Sequence, residues 1–162
     1  MLQYFASLAL DSTLNQWIAD SYWLWPILEI LHFMGLCLLL GGLLIVDLRL
    51  AGHFRGFTPT ASHRLIPLVV TGFAINLITG ILFFIGDPER YAINIGFQIK
   101  MWLILAAGLN TVFYYRMLHH LTPAWRADTP APVLAKFFAY TSLSLWTGVL
   151  LFGRLIPYIG TG

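Results

Sequence analysis

Residues 22–50 read YWLWPILEILHFMGLCLLLGGLLIVDLRL, a stretch that is almost entirely apolar and long enough to cross a bilayer. Glu29 and His32 nevertheless lie in its first half, and Asp47 and Arg49 lie near its end. At about 100° per residue, one helical stripe carries Trp25, Glu29, His32, Leu36, Leu40, Leu43 and Asp47. A charge that faces lipid at mid-depth costs from about 3 to about 10 kcal/mol or more. We therefore expect this stripe to face the inside of a helix bundle.

The composition of the whole chain points to a membrane protein. Of its 162 residues, 59% are hydrophobic and only 10% are charged, whereas soluble domains contain about 25% charged residues. The net charge of +2 and the lack of a Lys/Arg cluster argue against binding of nucleic acid. The single cysteine, Cys37, cannot form an intrachain disulfide.

Three further apolar stretches follow the first one. The four predicted spans cover residues 22–48, 65–86, 95–117 and 134–157. The connections between them are short, which requires successive spans to run antiparallel. Residues 1–21 contain apolar side chains at helical spacing and predict an amphipathic arm at the membrane surface. The expected fold is an all-α, integral membrane, up-down four-helix bundle over residues 22–162, preceded by this interfacial arm.

The distribution of Lys and Arg predicts the orientation. Six of the nine basic residues lie in or beside the first and third connections: Arg49, Arg55, Arg64, Arg116, Arg126 and Lys136. The positive-inside rule places these connections in the cytoplasm and both termini on the outer side.

Glu29, His32 and Lys100 form a predicted polar cluster in the outer half of the membrane, because the first and third spans both enter from that side. A neutral imidazole inside a helical bundle is a common axial ligand of haem iron. The same residues also fit a structural alternative, a buried Glu29–Lys100 ion pair with His32 hydrogen-bonded beside it. A proton or ion path is the third alternative.

A second polar cluster is predicted at the cytoplasmic end. It contains Asp47, Arg49, Arg64, His63, His119 and His120, and we expect it to be structural. None of these histidines reaches the depth of His32, which disfavours a haem held by two histidines. No motif of a soluble enzyme is present, and no catalytic residue is predicted.

The chain resembles an uncharacterised family of bacterial four-helix membrane proteins. The resemblance is carried by Trp25, His32, Gly35 and the DLRL motif at 47–50, and it extends through RLIPLVVTGFAINLITGILFF and INIGFQIKMWLILAAGLN. It implies the fold and a location in the bacterial inner membrane, and it implies no activity.

A looser resemblance connects the chain with membrane protoporphyrinogen oxidases of the HemJ type and with CopD-like membrane proteins. His32, Arg49, Arg64 with Pro67, and Lys100 occupy places comparable to residues of those proteins. This resemblance implies bound haem b.

Together, these patterns predict a small inner-membrane protein that binds b-type haem and transfers electrons between the quinone pool and an outer-side redox partner. His32 is the predicted metal ligand. Glu29, Lys100, Trp25 and Arg64 are the other predicted cofactor-binding residues. The alternatives are a non-enzymatic membrane subunit or scaffold with buried ion pairs and a small proton or ion transporter. A homo-oligomer is compatible with the sequence.

Overall fold

The computed structural model describes residues 2–10, 12–53, 59–118 and 130–159. These residues are helical apart from short turns and caps, and they contain no strand. The all-α prediction is confirmed.

Four of the helices are long and apolar enough to cross a bilayer. They are α3 (Leu24–Leu50), α5 (Ile66–Gly86), α7 (Ile95–Met117) and α8 (Val133–Leu155). Each starts and ends within two residues of its predicted span. At about 1.5 Å per residue, even the shortest is about 31 Å long, which matches a hydrocarbon core of about 30 Å. The chain is a multi-pass membrane protein.

The four long helices form two antiparallel pairs. Helix α3 packs along α5, helix α7 packs along α8, and α3 also contacts α8, which joins the pairs. Helices α3 and α7 begin at the end of the bundle that holds Leu2 and Ile159, the first and last described residues, and we call it the termini end. Helices α5 and α8 begin at the other end, which we call the loop end.

Glycines set the contact between α3 and α5. A Cβ added at Gly72 of α5 would lie only 2.5 Å from Leu39 N and 2.6 Å from Gly35 O, and one added at Gly42 would lie 2.5 Å from Val69 Cγ2. The two backbones therefore approach as closely as small residues allow, as is common between helices in membranes.

The most buried face of α3 differs from the predicted one. Its buried residues before the last turn are Leu28, Gly35, Leu39, Gly42 and Asp47. The first four define a stripe about 90° around the helix from the predicted polar stripe. Glu29 is exposed and His32 is half-buried, so the prediction that the whole polar stripe faces inward is wrong. The reason is that the glycine-containing face permits the closer approach of α5.

At the loop end, α3, α7 and α8 share a small apolar core. It consists of Leu50, Ala51, Leu118, Ala135, Phe138 and Ala139. Alanines of α8 bring the end of α3 close to this helix.

The N-terminal arm contains two short helices, α1 (Leu2–Leu10) and α2 (Thr13–Asp20). Asn15 Nδ2 donates to Ile85 O at 2.6 Å and so caps the end of α5. Ile18 is buried, and its Cγ2 lies 2.8 Å from the position of a Cβ on Gly86. The arm is thereby fixed to the termini end of the bundle.

Helix α6 (Pro88–Ile93) interrupts the second connection, where no helix was predicted. Asp87 caps its N-terminus by accepting from Arg90 N, and Pro88 occupies the first turn. The next cap, Asn94, accepts from Phe97 N at 3.0 Å and donates to Ile156 O at 2.9 Å. The start of α7 is therefore tied to the end of α8. A short helix of four residues, α4 (Pro59–Ser62), and a 3-10 turn (His63–Leu65) lead into α5 at the loop end.

Candidate functional site

The centre of the candidate site is a hydrogen bond between the paired helices α3 and α5. His32 Nδ1 lies 2.7 Å from Thr79 Oγ1. Thr79 is 3% exposed, and its hydroxyl donates to Ile75 O at 2.7 Å. Since a hydroxyl has one proton to donate, the network assigns the proton of the neutral imidazole to Nδ1, which donates to Thr79. His32 Nε2 then carries a lone pair and is the ring atom available to a ligand.

Aromatic rings form a wall next to this imidazole. The Phe83 ring lies edge-on to His32 with 5.5 Å between centroids, and Trp25 lies 5.1 Å from Phe83 on the other side. Trp25 Nε1 donates to Glu29 Oε1 at 3.2 Å. Trp25, Glu29 and His32 occupy successive turns of α3, so the wall runs from the termini end toward the middle of the bundle.

A second aromatic group adjoins the first, because Phe83 and Phe84 are consecutive in α5. Phe84 stacks on Phe97 of α7 at 5.8 Å, and Tyr91 of α6 meets Phe97 edge-on at 5.4 Å. Burial raises the pKa of the Tyr91 hydroxyl above its usual value, and the positive charge of Arg90 offsets part of this shift. The second group thus joins α5 and α6 to the start of α7.

Lys100 of α7 is half-buried and points toward α8. Its Nζ lies 3.3 Å from the position that a Cβ would take on Gly153, so the absence of a side chain there makes room for the ammonium group. Lys100 is also near enough to His32 to act on it electrostatically.

The predicted ion pair between Glu29 and Lys100 does not form. Among the described residues the ion pair is Asp87–Arg90 at 3.9 Å, on the surface of the termini end. Glu29 is exposed and bonded to Trp25, whereas Lys100 extends along Gly153. Helix depth predicted that these residues lie near the same level, but their directions around the helices keep them apart.

Arg64, predicted as a cofactor-binding residue, lies elsewhere. It is exposed on the 3-10 turn that precedes α5 at the loop end. Fifteen residues separate it from Thr79, which corresponds to about 20 Å along the helix. The structure therefore brings together His32, Trp25 and Glu29, with Lys100 across from them, and leaves Arg64 at the far end.

His53, the other histidine whose side chain is described, does not add to this site. His53 is exposed at the loop end, where its ring lies 6.1 Å from that of Tyr140. His119, His120 and the side chain of His63 lie outside the described residues. Within the described ranges, no three His, Cys, Asp or Glu side chains come close enough to chelate a metal ion.

Sequence reasoning missed the site roles of Thr79, Phe83 and Tyr91. The partner of Thr79 could be found only once α3 was placed against α5. The signal for Tyr91 was the Asp-Pro pair at 87–88, which is typical of a helix start and would have placed this residue on α6.

Comparisons of the chain with protein-family models, with curated proteins and with solved structures found no match.

Proposed function

We propose that the protein binds one b-type haem at the termini end of the bundle, with His32 Nε2 as a ligand of the iron. One observation carries this proposal: the bond from Nδ1 to Thr79 leaves Nε2 as the free nitrogen. Ligating histidines in proteins are typically oriented in this way, since a hydrogen bond from the other ring nitrogen fixes both the tautomer and the ring plane.

The surroundings of His32 fit a flat, largely apolar ligand with acidic groups. The rings of Trp25 and Phe83 supply an apolar wall beside the imidazole. Lys100 provides an ammonium group that has no acidic partner among the described residues and can pair with a haem propionate. A porphyrin supplies four of the iron ligands itself, so a single histidine is enough.

The proposed activity is electron transfer between the quinone pool and a redox partner on the outer side of the bacterial inner membrane. The haem, when bound, supplies reversible one-electron chemistry. The chain holds it through His32, balances its charge through Lys100, and keeps its neighbourhood apolar through the aromatic wall. Oxidation of a quinol also releases protons, and Glu29 is an exposed carboxylate one turn from His32 that can accept one.

The scaffold alternative depended on a buried Glu29–Lys100 pair. Because neither residue has the other as its partner, no observation favours that alternative over the haem protein.

An absorption spectrum of detergent-purified protein, expressed with ample haem, tests the proposal. We expect a Soret band in the wild type and its loss in His32→Ala. His53→Ala is the matched control, since it removes an exposed imidazole at the loop end and should leave the band unchanged. Thr79→Val should retain haem but change its reduction potential, because it removes the group that orients the imidazole. A colourless wild-type protein, or a band that survives His32→Ala, would refute the proposal.

A further inference from the structure

Asp47 is the most buried acidic residue in the described parts of the chain. It lies one turn before the end of α3, its side chain is 6% exposed, and it faces α8 near the loop end. Its Oδ2 is buried and has no hydrogen-bond partner within the described parts of the chain. The hydroxyl of Ser142, on α8, is the polar side-chain group that acts on this carboxyl group.

Polar groups from a third helix reach the same turn of α8. Asn110 of α7 donates from Nδ2 to Phe138 O at 3.1 Å. Phe138 lies one helical turn before Ser142, which is itself only 7% exposed. Asp47 of α3 and Asn110 of α7 therefore reach one segment of α8, which itself contributes Ser142.

The basic residues of the packed elements are directed elsewhere. Arg49 is buried, but two residues correspond to about 200° around α3, so its side chain leaves the opposite face of the helix. Arg64, on the 3-10 turn, and Lys136, on α8, are both exposed. Tyr140, on α8, is exposed as well, and the side chain of His63 lies outside the described residues. Among the described residues, the polar side-chain neighbour of the Asp47 carboxyl group is thus a hydroxyl on α8 and not an ammonium or guanidinium group.

A carboxylate enclosed in this way would have little hydration and no adjacent positive charge from the described residues. Buried acids in such surroundings become neutral by taking up a proton. We propose that Asp47 holds a proton at neutral pH and is a proton-binding site within the bundle. Its ligand is the proton itself.

The neighbouring hydroxyl suits both protonation states of the acid. A hydroxyl can donate one hydrogen bond and accept others, so Ser142 can accept from a protonated Asp47 or donate to its ionised form. Protonation adds one proton from water to the carboxylate, and deprotonation returns that proton to water. No electron is transferred in this step, and the assignment does not depend on haem.

Infrared spectroscopy of the protein in lipid at neutral pH tests the assignment. We expect the carbonyl stretch of a protonated carboxyl group in the wild type, shifted in D2O, and its loss in Asp47→Asn. Glu89→Gln is the control, since it removes an exposed acid on α6, outside the four spans, and should leave the band intact. A wild-type spectrum without this band, in protein that remains helical by circular dichroism, would show that Asp47 is ionised and would overturn the assignment.

Labelling with dicyclohexylcarbodiimide distinguishes a proton from a bound alkali cation. This apolar reagent reacts with protonated carboxyl groups within membranes, and mass spectrometry identifies the modified residue. We expect labelling of Asp47 that declines as the pH is raised and is unaffected by sodium chloride. Protection by sodium at constant pH, with potassium or choline chloride as the ionic-strength control, would identify a cation site and overturn the proposal. If the labelled peptide escapes detection, loss of the infrared band after treatment with the reagent gives the same result.

Discussion

Replacing Gly72 with alanine should force α3 and α5 apart. The new Cβ would lie 2.5 Å from Leu39 N and 2.6 Å from Gly35 O, both backbone atoms that no rotamer change can move. An ordinary contact needs about 3.5 Å, so the helices must separate by about 1 Å. Overpacking of this kind costs about 1–3 kcal/mol in the free energy of unfolding.

Gly80→Ala in the same helix is the matched control, because nothing lies within 4 Å of the Cβ that it adds. Both variants gain about 1 kcal/mol of helix propensity from alanine, so their difference isolates the steric term. Reversible unfolding in mixed detergent, with circular dichroism as the readout, should place Gly72→Ala about 1–3 kcal/mol below Gly80→Ala.

The separation has a second, local consequence. Thr79 lies two turns from Gly72, and a shift of about 1 Å would stretch its 2.7 Å contact with His32 beyond hydrogen-bonding range. Histidine resonances in NMR spectra should report the lost bond in Gly72→Ala and not in Gly80→Ala. Equal stability and unchanged resonances in the two variants would refute the close approach of these helices.

Three further outcomes are expected. In a double-mutant cycle, Glu29→Gln and Lys100→Met should have additive effects on stability within about 0.5 kcal/mol. A larger coupling energy would show that these two residues do form an ion pair. Asn94→Asp keeps an oxygen that can cap α7 but loses the amide protons that Asn94 donates at the end of α8. The free energy of unfolding should therefore fall by about 1–3 kcal/mol. An unchanged free energy of unfolding would rule out those hydrogen bonds. In a Cys37→Ser background, a cysteine at Thr60 should resist an impermeant thiol reagent added to intact cells, and ready labelling would reverse the proposed orientation.

The spans could be predicted from the sequence because their length is a physical requirement of the bilayer. Runs of apolar residues bounded by polar connections predicted all four long helices to within two residues. The direction of each face was harder to predict. The sequence predicts that the polar stripe containing Glu29 and His32 faces inward. The closest helix contact is instead made where Gly35 and Gly42 have no side chains.

In the candidate site too, the depth of a residue could be predicted from the sequence but its neighbours could not. The depth of His32 and Lys100 followed from their distance to the helix starts, and the structure brings them within electrostatic range. The partner of each could not be predicted, because it depends on rotation about the helix axis. His32 meets Thr79 and Lys100 meets Gly153, and both neighbours come from helices that sequence alone does not orient.

The pairing of the helices also has a consequence for synthesis of the protein. His32, Thr79 and the aromatic wall all belong to the first hairpin, α3 with α5, so the iron-binding half of the proposed site can assemble while the ribosome is still translating the rest. Lys100 belongs to the second hairpin, whose start is secured only when Asn94 reaches Ile156, just after the fourth long helix. A nascent chain released after residue 132 would therefore carry an oriented imidazole beside an unsecured third helix.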